Sequence, residues 1–183
     1  MKFRHILLKV KKGRQLILRW KSVSFLVMLS IDKITAIEDE YYSSSHTPSL
    51  GRAYDALVVR WKEGALDRET ALRLLFLIWY GMAEPPYFTG LKDVNRTRIH
   101  ELFQRLGGEF TTDPEVLFVV MTMCQIAPWA LGEEPHWRDI GERFRLRLAE
   151  RPRPELSKQT FARRGTYGHY FANRWESFVS HDQ

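Results

Sequence analysis

Two stretches of this chain are apolar nearly all the way round a helix, and a chain that must hide both has few folds open to it. The first runs from Ala71 to Tyr80 as ALRLLFLIWY, the second from Val116 to Ala127 as VLFVVMTMCQIA. An all-round apolar helix has no face for water, so each run demands neighbours on every side. Asp67 stands as an N-cap before the first, with Glu69 in the first turn, and Pro85-Pro86 stops it. Asp113-Pro114 caps and opens the second, and Pro128 ends or kinks it. Thr122, Gln125 and Pro128 interrupt the second run short of about 18 apolar residues, which favours a buried core helix over a membrane span.

The surrounding segments supply the cover. Ala53, Leu57, Val58 and Trp61 put an apolar stripe on a helix over roughly Leu50 to Glu63, closed by Gly64. Asn95 caps a shorter amphipathic helix carrying Ile99, Leu102, Phe103 and Leu106. Glu134-Pro135 opens a helix with Trp137, Ile140, Phe144 and Leu148 on one face and arginines on the other, and Phe171, Trp175, Phe178 and Val179 recur at helical spacing near the end. The expected fold is mainly α: a single compact helical domain of about six helices around two buried central ones, over residues 32–183. At 183 residues and 44% hydrophobic composition the chain has enough apolar material for such a core. Cys124 is the sole cysteine, which excludes an intramolecular disulfide and a thiolate metal cluster.

Charge divides the chain differently. Residues 1–31 carry eight basic residues and no acid, residues 32–137 carry ten basic and sixteen acidic, and residues 138–174 carry ten basic and four acidic. The first 31 residues thus read as a basic arm or β element. Phe3 to Val10 and Gln15 to Trp20 flank Lys11-Lys12-Gly13-Arg14 as a short hairpin would. The alternatives are a cationic arm on an anionic membrane surface or nucleic acid, or an extension upstream of a natural start at Met28.

Three clusters are candidate sites. The arginines of 138–174 suit phosphate or carboxylate oxygens, and Arg143 and Arg147 lie on the helix beside them. Arg163, Arg164, Tyr167, His169 and Tyr170, with Gly165 and Gly168 between them, have the makings of an anion-binding loop. A solvated helix face, or pairing with the acidic middle segment, explains the same arginines more simply. Tyr87 and Phe88 sit in a Pro/Gly-framed loop that either meets a partner or, as such rings more often do, folds back over the core.

For catalysis, His169 is the candidate acid/base, provided it converges with Glu84, Glu133 or an arginine in one cavity near the Pro85–Gly90 loop. Glu133, Glu134 and His136 lie together but match no metal-ligand spacing, and no cofactor fingerprint is present. No metal or cofactor is therefore expected. The leading expectation is a non-catalytic binding module, cytoplasmic and bacterial in style, that engages an anionic protein surface or nucleic acid through basic ends and aromatic loops, or pairs with its own kind. A small helical enzyme and a peripheral membrane protein anchored by residues 1–31 are the alternatives.

Overall fold

A computed structural model of the chain describes residues 28–42, 48–151 and 156–181. The hairpin expected within Phe3 to Trp20 lies outside them, as does most of the basic arm. Among the described residues the fold is mainly helical, without a strand. Seven helices of seven or more residues carry it: α1 (Ile31–Asp39), α2 (Leu50–Lys62), α3 (Arg68–Ala83), α5 (Ile99–Arg105), α6 (Pro114–Ile126), α8 (Glu134–Ala149) and α9 (Gly165–His181). The single turns α4 (Pro86–Thr89) and α7 (Pro128–Leu131) sit between them.

Caps set the boundaries where side-chain chemistry predicts them. The Asp67 carboxylate accepts from the Thr70 amide at 2.8 Å to start α3, and Asp113 accepts from the Glu115 and Val116 amides to start α6. Asn95 accepts from the Thr97 amide, but it opens a 3₁₀ turn, Arg96–Arg98, that feeds α5. Ser30 caps α1, a helix that apolar periodicity alone does not announce.

The two all-round apolar helices are central. Every residue of α3 from Thr70 to Trp79 is buried, as is every residue of α6 from Glu115 to Cys124. α2 and α5 pack on α3, α8 runs along α6, and α1 lies against α2 and α9. Rings join these layers: Phe76 of α3 meets Tyr167, Tyr170 and Phe171 of α9, and Phe118 of α6 meets Phe171, Trp175 and Phe178. Helices α6 and α8 approach so closely at Gly141 that a Cβ there would lie 2.5 Å from Cys124 Cβ. Burial pushes the Cys124 thiol up to about 12, so it packs as a small apolar side chain rather than as a nucleophile. No helix among the described residues is long and apolar enough to cross a membrane.

Candidate functional site

On α8, Arg138 bonds Glu134 at 2.8 Å, Arg143 reaches Glu109 at 2.8 Å and Asp139 at 2.9 Å, and Arg145 holds Glu142 at 2.7 Å. Arg147 donates to the carbonyls of Glu109 and Thr111. These guanidiniums tie α8 to itself and to the turn before α6. Pairing with the chain's own acids and carbonyls is the simpler of the two readings of this face.

Of the segment from Arg163 to Tyr170 only Arg163 and Arg164 lie outside a helix; from Gly165 onward it is helix. Arg163 takes a left-handed φ of 59°, Gly165 takes another of 59°, and α9 starts there, so Tyr167, His169 and Tyr170 are helical. Their side chains part company. Tyr167 is fully buried and donates to Glu115 at 2.5 Å; burial first, then the Glu115 charge, raises its phenol well above the ordinary range. Tyr170 is half-buried beneath Arg174 and against Trp79. His169 is exposed, with Nε2 3.9 Å from Asp39 and its ring 4.8 Å from that of Tyr42. Among the described residues no hydrogen bond or ion pair joins His169 to Glu84, Glu133 or an arginine.

Arg164 opens onto a seam of charge through the interior. It bonds Glu69 at 3.1 Å and Glu115 at 2.5 Å, with its guanidinium 4.7 Å above the Tyr167 ring. Burial opposes its charge, but Glu69 and Glu115 outweigh that and hold it protonated. Glu115 also takes Arg68 at 2.8 Å, and Arg68 reaches on to Asp113. At the other end Arg73, wholly buried in α3, lies 2.8 Å from the equally buried Glu38 of α1 and donates to Thr35 at 2.8 Å. The second Glu38 oxygen accepts from the Thr166 amide at 2.9 Å, in the first turn of α9. Gly165 is demanded there, because a Cβ would sit 2.2 Å from that oxygen. Burial raises the Glu38 carboxyl, against the pull of Arg73 and the Thr166 amide, to about 6.

Tyr87 and Phe88 do the reverse of folding back. The two residues stand 75% and 57% exposed, with ring centroids 4.5 Å apart. Pro85 and Pro86 stiffen the entry to α4, and Gly90 leaves it at φ 76° with its amide bonded to the Pro86 carbonyl at 2.8 Å. Behind the pair, Gly90 is pressed onto the start of α2: a Cβ on Gly90 would strike the Pro48 carbonyl, and one on Gly51 the Gly90 carbonyl. The rings are thus held out on a rigid base rather than on a mobile loop.

Sequence reasoning gives Glu38, Arg73 and Glu115 no role and Glu69 only that of a first-turn acid. Arg73 was the available signal, since a lone cation inside an apolar run needs an anion brought to it. Among the described residues no three His, Cys, Asp or Glu side chains cluster to hold a metal ion. Comparison with protein-family models, with curated proteins and with solved structures finds nothing that matches this chain.

Proposed function

We propose that this chain is a non-catalytic interaction module that docks a protein partner through Tyr87 and Phe88. The observation that supports this is the pair itself: two large rings in tilted contact with each other, mostly in solvent, on a backbone fixed by two prolines and a glycine–helix contact. An exposed aromatic pair on a rigid mount is costly to keep in water and suits the buried centre of an interface, where aromatic anchors carry most of the energy. The contact is apolar in character. Of the arginines that were candidates for an anionic partner, Arg143, Arg147 and Arg164 already serve carboxylates and carbonyls of this chain, while Arg163 stands exposed in the turn before α9.

The test is capture of partners from the native cell by the full chain and by Tyr87→Ser with Phe88→Ser, at low and high salt. A partner that survives high salt and is lost with the double variant, while the melting temperature stays put, supports the reading. A melting temperature that collapses in the variant would assign the rings to the core. A partner released by salt and indifferent to the variant would return the contact to charge.

A further inference from the structure

An open pocket of about 380 Å³ lies between α5 and the start of α8, and neither Tyr87 nor Phe88 lines it. That volume falls in the range of small-molecule sites, roughly 300–1,000 Å³. Its polar lining is Arg96, Thr97, His100, His136 and Trp137, with Gly132 beside them, and it contains no carboxylate.

Three features make the lining a set of donors held in place. Arg96 is clamped by its own Nη2, which donates to the carbonyls of Trp129 and Gly132 at 2.6 and 2.8 Å. Its Nε and Nη1 make no hydrogen bond among the described residues and remain for a ligand. Trp137 is only 5% exposed, and its indole Nε1 lies against Gly132, where a Cβ would come within 2.5 Å of it. That N–H also finds no acceptor among the described residues. The ring is buried, but the nitrogen itself still reaches the solvent of the open pocket, where a ligand oxygen could replace water. Third, the first turn of α8 forms the wall, and Glu133 at its N-cap supplies no side-chain bond to the free amides. The nearby acids do not cancel this. Glu134 is turned away to Arg138, and Glu133 does not line the pocket.

We propose that this pocket binds a phosphate group carried on a small molecule. The guanidinium and the Trp137 N–H grip the oxygens, the imidazoles of His100 and His136 flank them, and the remaining volume takes the body of the ligand. Three or more donor groups around a cavity without an acid match the several oxygens of a phosphate better than the two of a carboxylate.

The experiment is a heteronuclear NMR titration of the full chain with inorganic phosphate at low ionic strength and fixed pH, following the Trp137 indole N–H among the six tryptophans. Acetate and Zn²⁺ are titrated separately. A saturable shift of the Trp137 signal with phosphate is expected, weaker with acetate, and reduced about tenfold in affinity or lost by Arg96→Gln with His136→Gln. Both side chains are exposed, so the double variant should keep its fold, as an unchanged melting temperature would verify. No saturable shift, a shift shared by all the indoles, one that the double variant retains, equal response to acetate, or saturation by Zn²⁺ in place of phosphate would each overturn the proposal.

Discussion

The arginines of α8 and those of the interior seam are all paired, yet the two sets do different work. Arg138, Arg143 and Arg145 bond acids three or four residues away, or one turn across a surface, with side chains on both partners 32% to 66% exposed. Arg73 and Glu38 are wholly buried and 35 residues apart, and Arg164 meets Glu69 across 95. A surface pair exchanges water for a neighbour and gains little, whereas a buried charge has no water to return to when its partner goes. Pairing by itself therefore says nothing about importance; the solvent each charge has given up does.

The sharpest way to break that distinction is at Arg73. Arg73→Met leaves the buried Glu38 carboxylate without its cation and should cost about 3–5 kcal/mol by chemical denaturation. The pH dependence has a definite sign. Glu38 already titrates near 6 in the fold against an ordinary 4.5, so its contribution to stability is full below 4.5 and declines as pH rises through 6. Removing Arg73 takes away a pull that lowers the carboxyl, so the decline moves to higher pH. The penalty of the variant should accordingly be greatest near pH 8 and shrink on acidification toward pH 5. A penalty that does not vary over that range would show that Glu38 is not the group left stranded.

Next in size is Glu115→Gln, which keeps the shape but removes the charge shared by Arg68, Arg164 and Tyr167, with an expected loss of about 2–3 kcal/mol. At the bottom is Arg145→Ala on α8, expected to change stability by no more than about 0.5 kcal/mol and to lose even that in high salt. If Arg145→Ala proved as damaging as Glu115→Gln, the contrast between surface and seam would fall.

Legibility in the sequence follows the same line between solvent and interior. Helices α2, α3, α6 and α8 were readable because apolar spacing and the caps Asp67 and Asp113 agree with one another. Helix α1 was not, since its buried face combines Ile34 with Glu38, and a buried carboxylate looks like a solvated one until its cation is known. The start of α9 reads as a loop in the sequence because Gly165 and Gly168 suggest flexibility. They are there for closeness instead: a Cβ at Gly168 would lie 2.2 Å from the Phe161 carbonyl. The rings of Tyr87 and Phe88 were visible as residues but not as exposed ones, because a proline-framed aromatic pair has the same sequence whether it covers a core or leaves it. The pocket at Trp137 lay across α5 and α8, a juxtaposition that no local pattern encodes.

Glu38 has one more property, which belongs to the order of events. Its carboxylate is satisfied by the Thr166 amide, 128 residues further along the chain. During synthesis α1 emerges long before α9, and for that interval its acid has no backbone donor to settle on. Closing so long a loop is slow compared with forming the local helix pairs. Helices α2 to α8 can therefore assemble as the chain is made, while the docking of α1 completes only after α9 has left the ribosome, as the last lock to turn.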